Sequence, residues 1–572
     1  MSNAHGRRAL SLKRALISLV SLGLALSVSG CVGIPMSGPV TTGNVIDDEL
    51  FVDPDFLPSG PRNGATQQEI LLDFVQAATN PQNDYSIARQ FLADNIRSEW
   101  NPDARVAIRS SGGAPTTVSE TELDYTITTS ASIDADGRYF EDPELSSQTL
   151  EFGFVQQDGE WRINAAEDGI VLSEDNFDVV FTSYALYFFD PSYAFLVPDV
   201  RWFPNSSRIA SRISAALVRG QADWLAQGVL VSEFPSGTTL GPDGVSVASG
   251  IATVDLSDEA RDASNVQRER MRQQLSASLA DVRTVSSVVI TVAGVPLPIN
   301  DSGTRRATKP PALDANPLVR VEDQFGFVSG LTVEPLQPLS DAVVEINANA
   351  AVLSAGQATV AARARNGVYV IRVSGNGPLL IDNRPGLVKP TIDSVGFVWS
   401  AQARSTRSIT TFSLSGTEHP LDSSTLTPLS GTIVSMDLSR DGSRLLLYLS
   451  TPGGPRLVVA GVIRSEDNVP DRLGAFIDLP IDDGLAPIDA AWITDSSVAT
   501  LSHSGSDAVV TALDLGGPAR VLGRVAGGTT IVGGNGGADG IRVLTDQGDL
   551  FKPRGNGWQQ TGINASFLAT QQ

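Results

Sequence analysis

A single cysteine, Cys31, stands in 572 residues, with two residues between it and the end of a short apolar run. Upstream of it lie Arg7, Arg8, Lys13 and Arg14, with no acidic residue before Asp47. An apolar stretch from Ala15 to Val28 follows, and then Ser29 and Gly30. A basic region, a short apolar region and small residues before a cut make a secretory signal. The apolar run is roughly 14 residues, short of the ~20 that a helix needs to cross a bilayer. With no second cysteine, the exported chain can form no internal disulfide.

The residues Val28-Ser29-Gly30-Cys31 resemble the lipobox of bacterial lipoproteins. That resemblance implies cleavage after Gly30, a diacylglycerol thioether on the Cys31 sulfur and an acyl group on its new amino terminus. Acyl chains contribute about 0.8 kcal/mol per buried CH₂, so two or three of them hold a protein stably on a membrane. Residues 31–63 are rich in Pro, Gly and Asp and show no period of 2 or 3.6, which reads as a flexible tether. As a coil it would span on the order of 30 Å, and fully drawn out roughly 100 Å.

Other side chains offer less chemistry. His419 and His503 fall in predicted hairpin turns, without acidic or cysteine neighbours at ligand spacing, so no zinc site is expected. Ser502-His503-Ser504-Gly505 could suggest a nucleophile, but no Gly-x-Ser-x-Gly elbow exists to present one. Asp134-Ala135-Asp136-Gly137 is too short for a calcium loop and reads as a hairpin turn. None of the four lysines follows a glycine, which excludes a Gly-Lys phosphate loop, and the Gly-rich stretch 526–540 reads as a flexible loop. Asp255 and Ser257, between a strand and a helix, are expected to cap the following turn. Arg201 and Trp202 are the candidate binding face, as a cation–π pair or a glycan-binding surface, with core packing of Trp202 and Phe203 as the plainer role. No catalytic residue, metal or cofactor is assigned. Paired carboxylates for glycoside chemistry cannot be chosen among 64 acids.

Loss of residues 1–30 removes four basic and no acidic groups, taking the formal charge from −23 to −27. Such a surface repels nucleic acid.

The elements that must position these residues fall into three folded regions, giving a multidomain chain of two α+β domains and an all-β propeller. Residues 64–178 begin with two predicted helices. The first has Ile70, Leu71, Phe74, Val75 and Ala78 on one face; the second has Ile87, Phe91, Leu92 and Ile96, with Asp84 as its N-cap. Alternating strands follow, with turns at Asp136-Gly137 and Asp158-Gly159. Helices followed by a meandering sheet resemble the cone-shaped NTF2-like domains, which often hold a ligand.

Residues 179–300 read strand, loop, strand, then a helix striped by Ile209, Ile213 and Leu217, with Ser206 or Ser207 as cap and Gly220 at its end. A hairpin, a helix around 265–281 and a final strand complete the region. Through Leu186-Tyr187-Phe188, Arg201-Trp202-Phe203-Pro204, Phe234-Pro235-Ser236-Gly237 and Val254-Asp255-Leu256-Ser257 it resembles the GerMN domain of sporulation and germination proteins.

A polar linker, 301–316, leads to residues 317–572, where hairpin-like units recur about every 45 residues. Four strands per unit is the spacing of propeller blades, with a pair of β-sandwiches as the rival. There is room for five or six blades, or seven short ones, and the first β segment is expected to pair with the last strand and close the ring.

Lipobox, tether, helix-plus-sheet domain, GerMN-like domain and propeller, in that order, resemble the actinobacterial LpqB lipoprotein family. The resemblance implies a non-enzymatic, membrane-anchored extracytoplasmic accessory of a two-component system. Its implied partner is the extracytoplasmic domain of an MtrB-like sensor histidine kinase, and its setting cell-envelope homeostasis and division. The alternatives are a module that binds cell-wall glycan or muropeptide, and a propeller-based envelope hydrolase or lyase. Of the family's residues only Cys31 carries over.

Overall fold

The computed structural model describes residues 58–572 except Pro311, Ala312 and Asn535. Cys31, the signal and most of the tether lie outside the described residues. Among the described residues no helix is long and apolar enough to cross a membrane.

The first domain opens on the helix Gln67–Ala77. Its start is fixed by a capping box: Glu69 N–H donates to the Thr66 hydroxyl, and Thr66 N–H donates to the Glu69 carboxylate at 2.8 Å. Ile70, Leu71, Phe74 and Ala77 are buried against the sheet. The second expected helix does not form. Asn83, Asp84 and Tyr85 all have positive φ, and only Ala88–Phe91 makes a short 3₁₀ turn. Arg89 replaces the helical ladder. Its guanidinium donates to the carbonyls of Asp84 at 2.9 Å, Arg97 at 2.7 Å and Trp100 at 3.0 Å. Asp84 therefore binds Arg89 at 2.9 Å instead of capping a helix. The sheet runs in the order 160–165, 139–157, 122–134, 105–112, 170–173, with the last pair parallel and 116–119 paired onto 122–134. Phe74 fills its interior against Trp100 and Phe152, with ring centroids 5.3 and 6.3 Å away, and leaves a cavity of only ≈ 40 Å³.

The second domain pairs Phe181–Phe189 with Leu196–Pro204 as a hairpin. It continues through the helix Ile209–Arg219, a hairpin of Leu240–Ala248 with Ile251–Leu256, the helix Asn265–Ser278 and the strand Ser287–Val292. The last strand lies parallel to Ile251–Leu256, and the intervening helix supplies the crossover that a parallel pair needs. Ala252, Val254, Leu256, Val288, Ile290 and Val292 pack in one core with the buried faces of both helices. The expected serine cap on the first helix is absent. Arg208 occupies the N-cap position without a side-chain bond, because the Ser206 carbonyl already closes a turn onto Ile209 N–H at 3.2 Å. The segment after Asn300 lies along the first hairpin: Leu196 N–H donates to Thr308 O and Thr308 N–H to Ala194 O. Lys309 Nζ sits 4.6 Å from the centre of the Tyr187 ring.

Residues 318–571 form six four-stranded blades. Their innermost strands are Phe567–Gln571, Ala350–Leu353, Thr391–Ile392, Thr432–Leu438, Ala486–Trp492 and Gly528–Val532, each next to the following one around a closed ring. The first blade joins both ends of this region: Leu318, Val319 and Arg320 pair with Ala569, Leu568 and Phe567. The ring thus closes between the first and last β segments, as their patterns suggest. The Gly-rich stretch is not all loop, since Gly528–Val532 is the inner strand of the sixth blade. Gly533, next in the chain, passes so close to the Trp492 carbonyl that a Cβ there would lie 2.0 Å from it. Instead of lying in hairpin turns, His419 and His503 lie on strands, in Glu418–Pro420 and Ser497–Ser504.

Candidate functional site

Strand alternation settles the Arg201–Trp202 pair. Neighbours on a strand face opposite sides, and these two residues do. Arg201 is fully buried, with Nε 3.1 Å and Nη2 2.5 Å from the two carboxylate oxygens of Asp199, and Nη1 3.2 Å from Asp136 O. It fastens the 134–137 turn of the first domain onto the second. Trp202 N–H donates to Gly137 O at 2.7 Å, and a Cβ at Gly137 (φ +79°) would meet Trp202 O at 2.8 Å. The Trp202 ring packs on Phe177 at 4.7 Å and its Nε1 donates to Gly516 O of the propeller at 2.6 Å. Arg201 is thus no part of an exposed binding face, and Trp202 and Phe203 take the packing role also expected of them, Trp202 against the first domain's core and Phe203 within the second's. Arg201 is buried because a guanidinium needs a carboxylate and carbonyls when it leaves water, and this joint supplies them.

Asp255 and Ser257 likewise differ from expectation. Asp255 Oδ1 accepts from Thr291 Oγ1 at 2.6 Å and Gly294 N–H at 2.9 Å, and Ser257 Oγ accepts from Thr239 N–H at 3.0 Å. Each ties down a neighbouring loop, and neither caps the following turn. Ser502 is buried and shares a hydrogen bond with Tyr448 Oη at 2.8 Å, while His503 beside it is exposed. His419 meets the Phe397 ring edge-on at 5.3 Å. Among the described residues no group of three His, Cys, Asp or Glu side chains could hold a metal ion.

At the propeller axis two carboxylates occupy successive inner strands. Asp437 accepts from Trp492 N–H, one blade on, at 3.1 Å. Asp489 accepts from Ile531 N–H, again one blade on, at 3.0 Å. Gln572 Nε2 donates to Asp437 Oδ1 at 2.6 Å, and Lys389 Nζ lies 3.8 Å from Asp489 Oδ1. Burial pushes the Asp437 carboxyl up to about 6, with Asp489 adding to the rise and Lys389 and the Trp492 N–H opposing it. These carboxylates staple inner strands whose short edges would otherwise leave N–H groups unpaired.

A second polar pair lies further out in blade four. Burial raises the Asp441 carboxyl, but Arg444, with Nη2 2.6 Å from Asp441 Oδ2, together with Ser443 N–H and the Ser439 hydroxyl, offsets this and holds it below the usual carboxylate range. The Arg444 guanidinium lies 4.9 Å from the Trp492 ring centre. Arg444 lines a cleft of ≈ 430 Å³ where all three domains meet. The first domain contributes Arg138 and the start of its strand 139–157, the second Pro198 and Trp224, and the propeller Leu457 and Ile477. This volume is in the range of small-molecule sites, and the walls are mainly apolar. Sequence reasoning gave Asp437, Asp441 and Arg444 no role beyond a blade turn at Asp441-Gly442. The available signal was their charge inside "SMDLSRDGSRLLLYLS", a stretch otherwise patterned for complete burial.

Comparison with known proteins places each domain. Residues 60–178 match the model of the lipoprotein LpqB N-terminal domain, 185–298 the model described as sporulation and spore germination, and 318–564 the lipoprotein LpqB beta-propeller domain. Lipoprotein LpqB of Cutibacterium acnes is 29% identical over 49% of this chain and 47% of its own length. Lipoprotein LpqB of Thermobifida fusca is 28% identical over 51% of this chain and 49% of its own length. The chain thus spans about half the length of these curated relatives, although the alignment with lipoprotein LpqB of Mycolicibacterium smegmatis, 25% identical, covers 85% of the chain and 86% of the relative. Among solved structures, the first GerMN domain of GerM from Bacillus subtilis is similar at 20% identity over 20% of this chain and 86% of that one, with a TM-score of 0.17. TolB from Acinetobacter baumannii is similar at 14% identity over 44% and 61%, with a TM-score of 0.31. With an LpqB N-terminal domain at one end, an LpqB propeller at the other and a GerMN domain between them, the chain belongs to the LpqB lipoprotein family.

Proposed function

We propose that this lipoprotein is anchored through Cys31 on the outer face of the cell membrane. There it acts without catalysis as an accessory of a sensor histidine kinase of the MtrB kind, in the maintenance and division of the cell envelope. The observation that carries this reading is the joining of three modules into one body: Arg201 and Trp202 fasten the second domain to both of its neighbours. A body so joined offers a partner one fixed surface, which suits a protein that acts by contact. The buried carboxylates of the propeller accept backbone N–H groups, a structural use that agrees with a binding role.

The test is calorimetric titration of the purified chain into the extracytoplasmic domain of the cognate kinase. Saturable binding at micromolar concentration supports the reading. No heat at high micromolar concentration removes direct contact in solution and turns attention to glycan.

A further inference from the structure

The cleft where the three domains meet has mainly apolar walls and an imbalance of charge. Each arginine that lines it is already matched. Arg444 is paired with Asp441, and Arg456 is held by both oxygens of Asp478 at 2.9 and 2.6 Å. Arg138 has three carboxylates around it, Asp136 and Asp223 at 3.7 Å and Asp134 at 4.0 Å. Among the acids of the wall, Asp478 serves Arg456 and Asp199 serves Arg201. Glu141 and Asp514 also line the cleft, and neither makes an ion pair among the described residues. These two stand together. Glu141 accepts from Ala519 N–H, Ala519 pairs with Leu513 across a tight turn, and Asp514 is the next residue. Desolvation raises the Glu141 carboxyl and Glu174 adds to the rise, opposed only by the Ala519 N–H. Asp514 Oδ1 accepts from the Ser497 hydroxyl, while its Oδ2 lies beside Gly517 of the cleft wall, 3.8 Å from where a Cβ would stand.

We infer that the cleft binds an organic cation, a molecule whose apolar body lies on Trp224, Leu457 and Ile477 and whose ammonium group is drawn to the end bordered by Glu141 and Asp514. An ammonium supplies the charge that this end lacks, and in a partly desolvated cleft such an attraction exceeds its worth in water. An added carboxylate would meet two uncompensated anions in a chain of formal charge −23. A neutral head would leave both acids as they are and bind through its hydrocarbon alone. The two acids come from the first domain and the propeller, and the apolar wall from the second domain and the propeller, so the site exists only in the joined body.

The experiment is calorimetric titration of the full chain at neutral pH with three probes that share one body, 4-phenylbutylamine, 4-phenylbutan-1-ol and 4-phenylbutyrate, alongside two variants. Ile477→Trp fills the cleft from its half-buried wall and leaves every charge in place. The double variant Glu141→Gln, Asp514→Asn removes both charges and keeps an oxygen for Ala519 N–H and for the Ser497 hydroxyl. The expected result is saturable binding of the amine, about tenfold weaker binding of the alcohol and weaker binding still of the carboxylate. Ile477→Trp should lose amine binding, and the double variant should bind amine and alcohol alike. No saturable amine binding overturns the site. Undiminished amine binding to Ile477→Trp overturns its location, since the attraction would then be to the acidic surface at large. Alcohol or carboxylate bound as tightly as the amine, or amine affinity unchanged in the double variant, overturns the charge argument. Should the double variant fail to fold, judged by circular dichroism, the three probes and Ile477→Trp still decide the matter. Kinase binding plays no part in these readouts, so the accessory role and this site stand or fall separately.

Discussion

Trp202 and Gly516 lie 314 residues apart in the chain, and the indole Nε1 of the first donates to the carbonyl of the second at 2.6 Å. This bond joins the second domain to the propeller beside the aromatic cluster of Phe177 and Tyr139. Trp202→Phe keeps a ring in that cluster and removes the donor. The expected cost is about 1–2 kcal/mol, from the lost hydrogen bond and the smaller ring. Calorimetric unfolding should show a lower midpoint, with the propeller and the N-terminal domains beginning to separate into two transitions. A single unchanged transition would show that the joint does not depend on this bond.

The buried carboxyl of Asp437 makes stability depend on pH. Its pKa is raised from 3.8 to about 6 in the folded chain, chiefly by burial. Between those values the folded state binds more protons than the unfolded one, so this group's contribution is fully present below about pH 4 and is lost as pH rises through 6. The size is roughly 2–3 kcal/mol over that window. Asp437→Asn removes the titration and keeps an oxygen for Trp492 N–H. Thermal midpoints measured from pH 4 to 7 should therefore fall less steeply in the variant than in the parent. Parallel profiles would mean that another group governs the slope.

Closure of the ring rests on three residue pairs between Leu318–Arg320 and Phe567–Ala569. Leu568 is buried within them. Leu568→Asp places an unpaired charge in this seam and should destabilise the propeller by about 3 kcal/mol or more. Gln560→Asp, on an exposed position of the neighbouring blade, is the control and should stay within about 0.5 kcal/mol of the parent. Urea titrations of both variants decide the matter.

The anchor is tested in cells. Cys31→Ser leaves the apolar signal and removes the acylated atom. The variant should leave the membrane fraction and take up no labelled palmitate, whereas the parent should be labelled and sediment with membranes. Labelling of the variant would put the acyl group elsewhere.

Much of the architecture was legible where burial is one-sided and local. The alternation along Glu122–Asp134 and the turns at Asp136-Gly137 and Asp158-Gly159 report directly on which face is covered. The 45-residue recurrence reports the blades in the same way. The stretch 82–98 misled because Ile87, Phe91, Leu92 and Ile96 have helical spacing. What decides its shape is Arg89, whose bonds to Arg97 O and Trp100 O lie outside any local pattern. The opposite facing of Arg201 and Trp202 was available from strand period alone. The cleft at Arg444 was not, because its walls come from positions as far apart as Arg138 and Gly516, and no periodicity connects them.

The seam of the first blade has a consequence for order in time. Its inner strand is Phe567–Gln571 and its other three strands lie between Leu318 and Pro335. A chain delivered from its amino end across a membrane would present the outer strands of that blade first and its inner strand last. Until Phe567 arrives, Leu318–Val321 has an unpaired edge, open to any other strand nearby. Delivery from the amino end would thus include a waiting period set by some 250 residues of chain, at about 5–20 residues per second if the chain is delivered as it is made. A companion that shields an open strand edge would be needed during that interval and dispensable after it.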